Sequence, residues 1–245
     1  MKKENLKPFP TLEKAKEEVN SFLNQLPNLY YIDENLKHTL RRYQQSALLY
    51  LNWSQKQVDA NEKYNQLMFN MATGSGKTDV MAAVILYLFK EFKYTNFLFV
   101  SNTTAVVDKT KENFLNTVSA KYLFSAPINI DGERIDIKSV ESFPINQEPN
   151  TIYLKLSTVQ SLSNELYDPQ ENALTFDDLK KHKIVILADE AHHFNAQTKK
   201  NQREETSWEN LLDQIRRSNK LNRQLEFTAT IDVDKEDVYE KYKDK

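Results

Sequence analysis

Apolar and polar positions follow two different rhythms along this chain. Near the start, Leu12, Ala15, Val19, Phe22 and Leu26 recur three and four residues apart with Lys and Glu between them. That spacing predicts an amphipathic helix over 11–26, ended by Pro27. Leu40, Tyr43, Leu48, Leu49 and Trp53 predict a second helix over 37–53, and the polar stretch 54–66 reads as a loop. From residue 67 the rhythm changes to short apolar runs, each followed by a helical segment. The runs are Leu67–Met71, Phe97–Val100, Ile152–Leu156, Ile184–Leu187 and Leu225–Thr228. The helical segments include the almost wholly apolar Val80–Leu86, a stretch over 104–117, and Trp208–Arg217, with Trp208 read as core. Strands without a polar face have none to give to water. They predict an α/β fold, a mostly parallel sheet with helices on both faces. The less regular part of the chain reads as a hairpin, Ile128–Ile137 around Asp131-Gly132, and the charged stretch 232–245 as a solvated tail or the start of a linker.

Composition removes several classes. Of 245 residues, 40% are apolar and 28% charged, enough for a packed core and too apolar for intrinsic disorder. Lys and Arg number 33 against 35 Asp and Glu, a net charge of −2 that excludes a polycation but not a local basic groove. The absence of cysteine excludes disulfide frameworks, zinc fingers, iron–sulfur clusters and thiol nucleophiles, and fits a reducing compartment. No apolar leader follows Met1 and no stretch approaches the length of a membrane span, so a cytoplasmic protein without membrane association is expected. Glycine is more telling. There are three in the chain, and two of them, Gly74 and Gly76, stand one residue apart.

Those two lie in Thr73-Gly74-Ser75-Gly76-Lys77-Thr78, between a predicted strand and a predicted helix. That context is what a phosphate-binding loop needs. Glycines let successive backbone N–H groups turn inward as an anion nest, and the helix N-terminus behind them adds partial positive charge. Lys77 supplies a compact cation for the outer phosphates, and the Thr78 hydroxyl is suited to Mg2+. Met71 stands where the longer form of the pattern has glycine. A second candidate follows the strand Ile184–Leu187, where Ala188 leads into Asp189-Glu190-Ala191-His192-His193. Ligands of open parallel sheets sit at the carboxyl ends of strands. Asp189 is therefore placed to hold Mg2+ through its water shell, complementing Thr78, and Glu190 to orient or deprotonate an attacking water. A metal site formed by the acids and histidines is the alternative, but adjacent histidines point apart and no third neutral ligand accompanies them.

Taken in order, these residues resemble the first motor domain of the superfamily 2 helicase-like ATPases, over roughly residues 36–231. Thr73–Thr78 matches motif I, Asp189-Glu190-Ala191-His192 matches motif II, and Thr228-Ala229-Thr230 matches motif III. Arg42-Tyr43-Gln44 resembles the adenine-recognition element, Val100-Ser101-Asn102-Thr103 motif Ia, and Ser157-Thr158-Val159-Gln160-Ser161 the next strand-contacting motif. Within the superfamily the chain is most similar to the restriction subunit of type III restriction–modification enzymes. The residues carrying that likeness are Met71–Thr78, Asp189–Phe194 and Leu225–Thr230.

The resemblance implies a RecA-like phosphate-loop domain that hydrolyses ATP with Mg2+ to drive movement on DNA. Thr73–Thr78, Tyr43 and Gln44 would bind nucleotide, with Gln44 reading the base. Lys77, Asp189 and Glu190 would be catalytic. His192, Thr228 and Thr230 would couple hydrolysis to domain movement, and Ser101, Asn102, Thr103, Ser157 and Thr158 would touch nucleic acid. Taken singly, Tyr43 suits core packing as well as adenine stacking, and Ser157 and Thr158 suit a helix N-cap. The division expected is a helical extension over 1–35, the motor domain over 36–231, and the charged stretch 232–245. No second motor domain or nuclease site fits after Thr230, so the chain is expected to be the amino-terminal part of a longer enzyme, binding nucleotide weakly and hydrolysing it poorly alone. A methyltransferase subunit is the implied partner, with weak, salt-dependent DNA binding by this part. An RNA or repair helicase, or a catalytically silent nucleotide-binding module, are the competing readings.

Overall fold

The computed structural model describes residues 10–21, 29–168, 174–189 and 202–229. The elements in chain order are α1 (Pro10–Ser21), α2 (Tyr30–Asn35), α3 (Arg42–Lys56), α4 (Ala60–Lys63), β1 (Gln66–Asn70), α5 (Lys77–Phe92), β2 (Asn96–Ser101) and α6 (Thr104–Leu115), then β3 (Ile128–Ile130) and β4 (Glu133–Ser139). They are followed by β5 (Thr151–Thr158), α7 (Val159–Tyr167), α8 (Phe176–Lys180), β6 (Ile184–Asp189), α9 (Gln202–Ser218) and β7 (Arg223–Thr228).

The seven strands form one sheet in the order β1-β7-β6-β2-β5-β4-β3. Only β3 runs against its neighbour, in the expected hairpin through Asp131-Gly132; the other pairings are parallel. The α/β reading of the apolar runs therefore stands. Alternation along each strand explains both layers. Phe97, Phe99, Val185, Leu187, Leu225 and Phe227 face the cluster that contains the buried face of α5. Leu98, Val100, Ile184, Ile186 and Ala188 face the opposite cluster, with α7 and α9. A side-chain period of two thus supplies one sheet with two apolar faces. Val80 to Leu88 of α5 are all buried, as a helix apolar on every side requires. Trp208, expected in the core, lies half-buried against the second cluster.

Three expectations shift. The second helix begins at Arg42 rather than near 37 and runs on to Lys56. The stretch expected as loop holds α4, only four residues long. The Ile152–Leu156 run is the centre of an eight-residue strand that ends at Thr158. The amino-terminal helices are packed onto the sheet domain. The Trp53 indole donates to Glu18 Oε2 at 2.6 Å, joining α3 to α1. Asn35 fastens α2 to β3, donating from Nδ2 to Asn129 O and accepting the Asn129 N–H, each at 2.7 Å. Among the described residues no helix is long and apolar enough to cross a membrane.

Candidate nucleotide site

Parallel strands end on the same side, so every motif at a strand end is delivered to one edge of the sheet. Here β1 runs into the glycine loop, β7 ends at Thr228 and β6 ends at Asp189. The register aligns them, with Asn70 opposite Thr228 and Asp189 opposite Phe227. One strand lies between β1 and β6, which puts their ends about 10 Å apart at ordinary strand spacing. Val185 and Leu187 face the α5 side, so alternation carries Asp189 to that same face, where α5 begins at Lys77. The lysine and the first carboxylate thus share an edge and a face.

The loop owes its shape to two residues. Gly74 and Gly76 have φ of 76° and 80°, the left-handed region that a Cβ makes costly. Gly76 is the N-cap of α5. A Cβ there would stand 2.5 Å from Gln44 Nε2 and 2.9 Å from Asp79 Oδ2, whereas one on Gly74 would meet nothing within 4 Å. Gly74→Ala is therefore expected to lose about 1–2 kcal/mol from backbone strain alone, and Gly76→Ala more, because the Gln44 amide that it displaces gives up its hydrogen bonds to Ser75 O and Gly76 O. Urea unfolding of both variants measures the difference; equal losses would contradict the crowding at Gly76. Met71 needs no glycine, because its N–H still pairs with Thr228 O at 2.8 Å and continues the strand. The Ser75 hydroxyl is buried and has no hydrogen-bond partner among the described residues. A buried orphan hydroxyl in a loop with two left-handed glycines fits a site built for an anion.

Behind the loop stands α3. The Tyr43 hydroxyl donates to Ser75 O at 2.7 Å, and Arg41 Nη1 reaches the same hydroxyl at 3.1 Å. Tyr43 is 46% exposed, so it braces the loop and leaves the core-packing alternative unfilled. Gln44, at 4% exposure, donates from Nε2 to Ser75 O and Gly76 O at 3.0 and 3.2 Å. Its Oε1 accepts the Arg41 N–H at 2.7 Å, which closes the capping box of α3. The amide expected to read a base is engaged on the glycine loop in this structure, both ends of it held by backbone.

The remaining motifs continue along the edge. Ser101 is opposite Thr158 and Val100 opposite Ser157, so the two segments assigned to nucleic acid are neighbours on adjacent strands. Ser101 and Ser157 are buried. Thr103 caps α6, accepting the Val106 N–H at 3.4 Å, and Thr158 caps α7, accepting the Ser161 N–H at 3.1 Å. Asn102 Oδ1 is buried without a partner among the described residues. Thr158 is thus the N-cap that its residue type alone suggested. Thr228 is fully buried at the end of β7 between the loop strand and the acidic strand. Glu190, His192 and Thr230 lie outside the described residues. Sequence reasoning missed one contact of the loop helix, His38 Nδ1 to Asp79 Oδ1 at 2.7 Å, because 41 positions separate the pair and neither residue belongs to a motif.

The chain was also compared with known proteins. The sequence model of the family described as "Type III restriction enzyme, res subunit" matches residues 37–233. A curated relative from Haemophilus influenzae (strain ATCC 51907 / DSM 11121 / KW20 / Rd), described as a probable type III restriction-modification enzyme HindVIP Res subunit, is 37% identical over 243 residues. That match covers 88% of this chain and 46% of the relative, so the chain spans about half the relative's length. Among solved structures, the Sulfolobus solfataricus SWI2/SNF2 ATPase core in complex with dsDNA aligns with a TM-score of 0.45 and 16% identity, over 82% of this chain and 34% of that one.

Proposed function

This chain belongs to the type III restriction enzyme Res-subunit family, and from that footing we propose that it is the first motor domain of such a subunit, hydrolysing ATP to drive movement on DNA. The observation that carries the reading is the shared edge, with the glycine loop, Thr228 and Asp189 at the ends of three adjacent strands. In this account residues 36–231 are the motor domain, 1–35 its helical extension, and 232–245 lead toward a second motor domain and a nuclease domain. A methyltransferase subunit is the partner of the assembled enzyme, and the cytoplasm its location.

Each residue then has a defined task. The N–H groups of Thr73–Thr78 surround the phosphates, and Lys77 neutralises charge on the outer two. Thr78 and Asp189 offer a hydroxyl and a carboxylate, the hard oxygen donors that Mg2+ takes alongside water and phosphate. Bound there, Mg2+ would offset the charge that develops on the phosphate oxygens. Glu190 orients the water that attacks the terminal phosphate. Tyr43 and Gln44 hold the loop from behind, and Gln44 is the residue that would read the base. His192, Thr228 and Thr230 relay the loss of the terminal phosphate to the second domain.

On the DNA side, Ser101, Asn102, Thr103, Ser157 and Thr158 position phosphates through hydroxyls, amides and two adjacent helix N-termini, without reading sequence. Duplex DNA should bind weakly, and less tightly at about 200 than at about 50 mM salt, because counterions return to the phosphates that the protein's cations neutralise. Gel-shift titrations with duplex DNA, single strands and RNA measure this. Salt-independent binding, or a preference for RNA, would contradict the DNA motor.

A further inference from the structure

His38, in the segment leading into α3, holds a residue of the phosphate-loop helix. Its Nδ1 lies 2.7 Å from Asp79 Oδ1. Asp79 is the third residue of α5. With the carboxylate ionised, Nδ1 carries the hydrogen and donates it. The other oxygen, Oδ2, sits 2.9 Å from where a Cβ on Gly76 would stand, so the carboxylate lies against the loop itself.

An acid at this place in a helix has another option. From the third position it can reach back and accept the N-cap N–H, here that of Gly76, which is the half of a capping box that needs no N-cap side chain. For an ordinary helix that is stabilising. In this helix it would set the chain's own anion among the amides and at the dipole end that a phosphate requires. Here Oδ1 is taken by His38, so that oxygen is not offered to the loop amides.

We propose that His38 is a positioning residue for nucleotide binding, which holds the Asp79 carboxylate aside and keeps it from capping the phosphate nest. The proposal rests on the nucleotide reading of the loop. His38 touches no phosphate and acts through Asp79. Its side chain is 64% exposed, so removing the imidazole deletes little packing and isolates the tether.

The test is an equilibrium titration of a fluorescent ATP analogue against the wild type and four variants, with thermal unfolding alongside. His38→Ala is expected to weaken binding by about three- to tenfold, the scale of one charge at a helix terminus, with the unfolding midpoint unchanged. His38→Asn, whose Nδ2 can replace the donor, should stay within about twofold of wild type, and so should His38→Ala combined with Asp79→Ala, which removes the competitor. Wild-type affinity in His38→Ala overturns the proposal. So does a double variant that binds no better than His38→Ala. Lys77→Ala separates the two levels. If it binds as the wild type does, the loop is not the nucleotide site and the proposal falls with that reading; if it loses binding while His38→Ala keeps it, the tether alone is wrong.

Discussion

Replacing Lys77 by alanine is expected to weaken Mg·ATP binding by about ten- to a hundredfold, because a hydrogen bond to a charged group contributes about 1.5–3 kcal/mol. Hydrolysis should fall further, by about a hundredfold or more, as it does when one preorganised donor to a developing charge is deleted. The structural reason is position. Lys77 is the first residue of α5, directly after the N-cap Gly76, so its side chain leaves the backbone beside the loop at the helix's positive end. Backbone amides alone would still hold an anion loosely, which is why a residual affinity is expected and complete loss is not. Lys77→Arg should not restore activity, since a planar fork does not replace a compact charge in a loop shaped for one. The two readouts are analogue titration and phosphate release on the same preparations. Unchanged affinity in Lys77→Ala would remove the loop from the nucleotide site.

The second large effect is on the fold beneath the site. Phe227 is fully buried and stacks on Phe69 with centroids 4.6 Å apart and planes 10° from parallel. It joins β7 to β1, and in register it lies opposite Asp189. Phe227→Ala should cost about 3–5 kcal/mol in lost transfer energy and cavity. That is a large part of the ~5–15 kcal/mol that holds a typical domain together. Urea unfolding should show the midpoint fall with its slope unchanged, and the thermal midpoint should drop by about 6–20 °C at this size. Val58→Ser, at a fully exposed apolar position, should stay within about 0.5 kcal/mol. Beyond stability, Phe227→Ala loosens the strand between the loop and Asp189, so the surviving folded fraction should also bind nucleotide less well. A loss under about 1 kcal/mol would show that the Phe69–Phe227 stack is not a keystone of this edge.

How far the sequence carried these conclusions depends on what kind of physics set each feature. The central strands were legible because burial on both faces leaves an uninterrupted apolar run, as in Phe97–Val100 and Ile184–Leu187. The loop was legible because two of three glycines stand together before a lysine, and no other residue type makes that backbone cheaply. Short helices were not. α2, α4 and α8 have four to six residues, too few for a helical period to repeat.

The start of β7 was missed for a different reason. Arg223 and Gln224 are buried, and a buried polar strand cannot be told from a loop unless its partners are known. For Arg223 those partners are Gln55 and Asn61, 168 and 162 positions away, at 2.5 and 2.6 Å. The same limit governs the site. The expectation that Thr73–Thr78 and Asp189 carry chemistry came from residue type and order. That one strand lies between them, that Ser101 faces Thr158, and that Tyr43 and Gln44 grip Ser75 are facts of strand order and long-range packing. Local propensity does not encode them.

In the proposed motor the glycine loop and Asp189 meet at one magnesium-bound triphosphate. Calorimetric titration of a non-hydrolysable ATP analogue, with Mg2+ and with EDTA, tests it on wild type and Asp189→Asn. The account predicts that Mg2+ tightens binding to the wild type, that Asp189→Asn loses this gain, and that in EDTA the variant binds no more weakly than the wild type. A full Mg2+ gain in Asp189→Asn would contradict it, because the carboxylate would then have no part in holding the ion at the loop.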